Sequence, residues 1–275
     1  MTAAHGAEEG DVSPPAPGRA SSRDLSRRGL LYETALVLGV SLGASALWSV
    51  LSLIRKLTAE PALAAQTTSI NVAVTPDRPW LDLAYQLAGI VIALVPVALA
   101  LHLIGRELGG SLAAARHVGF DVRAPGADLA RGAALAAVIG IPGLGLYLAA
   151  RAFGVNTTVS TDNLADAWWA VPVLLLAALQ NAVLEEVVMV GYLFTRWTQA
   201  GWPVVVVIAA SALVRGSYHL YQGFGGFLGN VAMGLILGLI YLRTRRVMPL
   251  VIAHAVLDVV AFVGYRELAP VLDWL

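Results

Sequence analysis

From Leu30 to Ile54 the chain carries one charged residue, Glu33, and runs of this kind recur along its length. A membrane-spanning helix needs roughly 20 predominantly apolar residues. Blocks that meet this need occupy 30–54, 80–105, 129–153, 168–195, 203–222, 224–242 and 247–265. A globule of 275 residues could not enclose them all. The expected fold is therefore all-α: a polytopic transmembrane helix bundle of about seven spans, multi-pass in the cell membrane with lipid as its surroundings. Composition agrees, with 13% charged residues against about 25% in soluble domains.

Residues 1–29 are rich in Ala, Pro, Gly and Ser and carry Arg19, Arg23, Arg27 and Arg28. Such a segment cannot bury enough apolar surface to fold, so a disordered cytoplasmic tail is expected over 1–29 and a transmembrane domain over 30–275. The first apolar block is too long for the core of a cleaved signal peptide, which spans about 7–15 residues. Basic residues then set the orientation. An N-inside topology puts twelve of them in inner segments and five in outer ones, with Arg215 inside a span. The N-terminus is expected inside.

The formal net charge is zero, which gives no reason to expect a nucleic-acid partner. With no cysteine, disulfides and thiolate metal sites are excluded. Any metal would have to be held by His, Asp or Glu. Lys56 is the sole lysine and carries no functional signal by itself.

A charge at the centre of a bilayer costs roughly 2.5–3.5 kcal/mol, so an ionisable residue inside a span is a functional candidate. Glu33 and Asp82 fall in first helical turns and read as interfacial residues. His102 and His117 read likewise. Those that remain lie in the last hundred residues: Glu185, Glu186, Arg215, His219, His254 and Asp258. His254 and Asp258 are spaced i,i+4 and share a helix face, as do Arg215 and His219, and Asn181 and Glu185. Glu185 and His219 stand at equal distances from the turn at Trp202, roughly 25 Å along their helices, which predicts matched depth. His254 lies about 14 Å into its span, leaving a gap of about 10 Å for tilt to close. Glu185, His219 and His254 are expected to converge on one cavity. Gly226, Asn230, Gly234 and Gly238 form a small-residue stripe that admits a close neighbouring helix, and Asn230 is a secondary candidate facing the interior.

A glutamate, two histidines and an aspartate in a low-dielectric bundle suit the activation of water for hydrolysis. Histidines can share the water's proton or bind a metal that polarises it. Zinc accepts such N and O ligands, although H-E-x-x-H is absent. Arg215 stays protonated, so it needs a carboxylate partner, expected in Glu186 or Asp258.

The segment Asn181-Ala-Val-Leu-Glu185-Glu186-Val-Val-Met-Val190-Gly191-Tyr-Leu resembles the E-E-x-x-x-R-G-x-L motif of the CAAX-protease and bacteriocin-processing (CPBP, or ABI) family. Ser217-Tyr218-His219 falls where that family has F-x-x-x-H, and His254-Ala-Val-Leu-Asp258 matches its H-x-x-x-N/D. The three motifs keep their order over about residues 165–262. The resemblance implies an intramembrane metalloendopeptidase related to the Ras-converting CAAX enzyme, acting on a membrane-associated protein or peptide. It implies that Glu185 and His219 activate the water, that His254 and Asp258 support the oxyanion or bind a metal, and that Glu186 is auxiliary. His219, His254 and Asp258 are then the expected ligands of a divalent metal, zinc by type. Two positions depart from the pattern: the motif arginine is Val190 here, and the aromatic four residues before the histidine is Arg215. The alternative is a catalytically silent scaffold or immunity protein of the same fold. A proton-coupled transporter would use the same acids but predicts an internal repeat, and the two halves show none.

Overall fold

In the computed structural model the described residues are 26–160, 163–164 and 166–268, without the side chains of Tyr265 and Leu268. The tail expected over 1–29 lies outside them as far as residue 25. Helix α1 (Arg27–Gly39) opens where Ser26 Oγ accepts the Gly29 N–H at 3.1 Å, which caps a free backbone donor. There follow α2 (Leu42–Leu57), α3 (Pro79–Ala93), α4 (Val95–Leu108), α5 (Ser111–His117), α6 (Pro125–Ala152), α7 (Ala170–Glu185), α8 (Leu193–Gln199), α9 (Val204–Ser217), α10 (Phe224–Thr244) and α11 (Met248–Leu268). A π-helical segment, Glu186–Tyr192, joins α7 to α8 without a break. Two short strands, β1 (Thr67–Ser69) and β2 (Thr158–Ser160), pair in parallel at one end of the bundle.

Every apolar block is helical, so the all-α bundle stands as hydropathy predicts. Among the described residues the long spans are fewer than seven. Pro79–Leu108, Pro125–Ala152, Ala170–Gln199 and Phe224–Thr244 are long and apolar enough to cross a membrane. Helices α1 and α2 supply a fifth only as a pair bent by 57°. Val204–Ser217 and the apolar part of α11, Met248–Gly264, are shorter. Fourteen residues of α9 rise about 21 Å, less than the roughly 30 Å of a hydrocarbon core. Past its end, the loop before β2 packs against the turn that leads to α10. Thr157 donates to the Gln222 carbonyl from both its N–H and its hydroxyl, each at 2.9 Å. The next residue, Gly223, has a φ of +118°, and a Cβ there would lie 2.7 Å from the Val155 carbonyl oxygen. Only glycine fits that crossing.

Helix α10 packs on α9 through its glycines. A Cβ at Gly234 would stand 2.9 Å from Ala212 Cα, so the two backbones approach as closely as the small-residue stripe allows. At the end of the bundle opposite the strands, buried Arg196 donates to Glu33 at 2.8 Å and to Glu107 at 2.5 Å, and Tyr192 donates to Glu33 at 2.9 Å. Glu33 is thus not a free interfacial residue. It ties α1 to α8. Arg246, between α10 and α11, donates to Asp128 at 2.5 Å and to Asp121 at 3.1 Å, fixing the start of α6.

Candidate active site

In an α-helix, adjacent residues point about 100° apart. The π segment begins at Glu186, inside an otherwise unbroken helical run. Such π turns are frequent at functional sites. Glu185 ends α7 and Glu186 opens the π turn, and both carboxylates reach α9. The turn's altered ladder is supported by Ser211 of α9, whose hydroxyl donates to the Met189 carbonyl at 2.8 Å. All seven residues of the turn are buried.

Arg215 of α9 meets both carboxylates. Its Nη2 donates to Glu186 Oε1 at 2.6 Å and its Nη1 to Glu185 Oε2 at 3.2 Å. Of the two partners expected for it, Glu186 is the one it pairs with, and Glu185 is added. Tyr218, just past the end of α9, donates its hydroxyl to Glu185 Oε2 at 2.7 Å. Both donors therefore fall on one oxygen of Glu185.

His254 enters from α11. Its Nδ1 lies 2.8 Å from Glu186 Oε1, and its Nε2 is 4.0 Å from Glu185 Oε2 and 3.7 Å from Asp258 Oδ1. Asp258, one turn further along α11, receives the Asn181 amide from α7 at 3.5 Å. Three helices and the π turn thus bring Glu185, Glu186, Arg215, Tyr218, His254 and Asp258 together. His219 stands beside this group, with its ring centroid 4.8 Å from that of Tyr218. Its Nδ1 is 3.1 Å from the Arg215 carbonyl oxygen, which assigns the proton to Nδ1 and leaves Nε2 as the acceptor. His219 makes no direct hydrogen bond with Glu185 among the described residues. Asn230 turns back on its own helix, donating to the Gly226 carbonyl at 3.0 Å, and does not join the group.

Among the described residues, no group of three His, Asp or Glu side chains is arranged to hold a metal ion. His254 gives one nitrogen to Glu186, His219 lies on the Tyr218 side, and the Arg215 guanidinium already sets a positive charge against both glutamates. Of the expected ligands, His254 and Asp258 face each other at 3.7 Å, with His219 on the Tyr218 side.

Residues 167–260 match the family model described as Rce1-like, type II CAAX prenyl endopeptidase. Over these residues the chain is similar to that family. The match covers about a third of the chain and contains every residue of the group described above. The match and the apolar helices around it agree with a multi-pass membrane protein. No curated protein and no solved structure matches the chain.

Tyr218 carries no signal in the hydropathy or helical-spacing arguments. Its place beside His219 in the second motif is the one pointer to it, and only the fold shows its hydroxyl reaching across to α7.

Proposed function

We propose that the chain hydrolyses a peptide bond of a membrane-associated protein or peptide, from within the cell membrane, with Glu185 as general base. The observation that carries this reading is the loading of Glu185: Tyr218 and Arg215 both bond Oε2, leaving Oε1 to accept a proton. A water held between Glu185 Oε1 and His219 Nε2 would lose its proton to the carboxylate as its oxygen attacks the scissile carbonyl carbon. In its imidazolium form His254 donates Nδ1–H to Glu186 and keeps Nε2–H for the oxygen that becomes negative. Collapse then breaks the C–N bond, and Glu185 returns the proton to the leaving amine. Glu186, fully buried and held by Arg215, orients His254 rather than reacting. On the charge bias of the loops, the N-terminus faces the cytoplasm.

Proteomic mapping of new peptide termini in membranes expressing the wild type or Glu185→Gln tests the reading. The amide is nearly isosteric but takes no proton, so at least one terminus seen with the wild type is expected to disappear. Identical terminus maps from the two membranes would overturn the reading in favour of a silent scaffold.

A further inference from the structure

We propose that Lys56 is a positioning residue for His219, acting through the peptide groups of Tyr221. It lies in the last turn of α2, outside the matched segment, and is only 6% exposed. Burying an ammonium is costly unless its protons are taken up. Lys56 Nζ donates to the Tyr221 carbonyl at 2.6 Å and to Thr68 Oγ1 of β1. Thr68 Oγ1 lies 2.6 Å from Thr157 Oγ1, and Thr157 in turn holds the Gln222 carbonyl. The lysine thus joins α2, the strand pair and the turn that follows α9.

The other side of the same residue is held from the same helix. Tyr221 N–H donates to Ser49 Oγ at 2.6 Å. Ser49 and Lys56 are two turns apart on one face of α2, so a single rigid element grips both the N–H and the carbonyl of Tyr221. The Tyr221 ring lies against the His219 imidazole, with centroids 6.2 Å apart and planes at 24°. His219 is itself in the turn between α9 and the short 3-10 segment Leu220–Gln222. Its Nδ1 is anchored to the Arg215 carbonyl, and the ring sits between Tyr218, at 4.8 Å, and Tyr221, so a shift of Tyr221 opens one side of it. Lys56 therefore helps set the direction of the His219 Nε2 lone pair, by holding one wall of the ring from a helix that contributes no side chain to the carboxylate group.

This inference rests on His219 taking part in water activation, and its test separates the two. The full chain in lipid nanodiscs carries Lys56→Met, Lys56→Arg or Ser49→Ala. The His219 ring signal is followed by NMR of ring-labelled histidine, assigned through His219→Gln. In parallel, cleavage is measured on whichever terminus disappears in Glu185→Gln. Lys56→Met is expected to shift and broaden the His219 signal. It should lower kcat by about 10- to 100-fold, the scale of a misplaced reacting group, with KM unchanged. Lys56→Arg should restore both, and Ser49→Ala should move both in the same direction by less, which keeps the test open if Lys56→Met does not fold. A His219 signal unchanged in Lys56→Met and Ser49→Ala overturns the inference, as does a changed signal with wild-type kcat. If no cleavage depends on Glu185, the proposed reaction fails by itself, and the ring signal alone decides whether Lys56 positions the imidazole.

Discussion

Arg215 Nη2 lies 2.6 Å from Glu186 Oε1, and neither side chain reaches solvent. The family motif places an arginine four residues after the second glutamate, on the same helix, where this chain has Val190. Here the guanidinium comes from the neighbouring helix α9 instead. A charge supplied across the helix pair neutralises the carboxylates and also ties α9 to the π turn, which a residue on the same helix could not do.

Removing that charge should be costly. Breaking a buried ion pair from one side typically costs about 3–5 kcal/mol, because the carboxylate is left without compensation. Arg215→Met is expected to lower thermal stability in detergent by that order. Adding Glu186→Gln should recover part of the loss, since the stranded charge goes with it. A double variant that melts no higher than Arg215→Met would show that the pair does not account for the stability of the site.

Tyr218→Phe keeps the ring and deletes the hydroxyl that bonds Glu185 at 2.7 Å. A hydrogen bond to a charged group is worth about 1.5–3 kcal/mol. The expected result is a measurable stability loss of that size together with a fall in kcat, because Glu185 loses the donor that holds its free oxygen in place. Wild-type turnover by this variant, measured on a Glu185-dependent cleavage, would remove Tyr218 from the working site.

Hydropathy alone locates each helical block, because lipid imposes a continuous apolar run on any segment within it. The bend between Gly39 and Leu42, the early end of α9 and the inward fold of Thr157 are not legible that way. They go with tertiary contacts between residues far apart in sequence, such as Thr157 with Gln222. In the site, equal spacing from Trp202 and i,i+4 pairs point to Glu185, His219 and His254. What they cannot give is the π turn, since the apolar residues from Val187 to Val190 leave no periodic trace of it. For the same reason spacing assigns Arg215 one carboxylate where the fold gives it two. Lys56, silent as a lone residue, gains meaning only from the three elements that meet at its Nζ.

The close approach of α9 and α10 predicts a position-specific cost along the glycine stripe. Gly234→Ala puts a methyl 2.9 Å from Ala212 Cα, a backbone atom that cannot move alone. Overpacking of this kind costs about 1–3 kcal/mol. Gly229→Ala is the control, because its methyl would meet only Leu146 Cδ2 at an ordinary 3.5 Å. Thermal melts of the two variants in the same detergent should differ clearly, with Gly234→Ala the lower. Equal melting temperatures would show that α9 and α10 can separate without penalty.

The last prediction concerns pH and the loop that leads into α6. Asp121 lies outside the membrane helices, and the Arg123 side chain that bonds it at 2.8 Å, with Arg246 beside it at 3.1 Å, holds its carboxyl well below the usual carboxylate range. In an unfolded chain the same group titrates near a pKa of about 3.9. A carboxyl whose pKa is depressed on folding adds stability that is fully present above the unfolded pKa and lost as pH falls towards the folded one. Wild-type stability is therefore expected to hold above about pH 4 and to decline below it. Asp121→Asn cannot make that contribution, so it should be less stable at neutral pH and its curve should close on the wild type as the solution is acidified. Melting temperatures of both proteins across the acid range measure this. Two curves that run parallel down to the lowest pH would mean that Asp121 is not a source of the acid sensitivity.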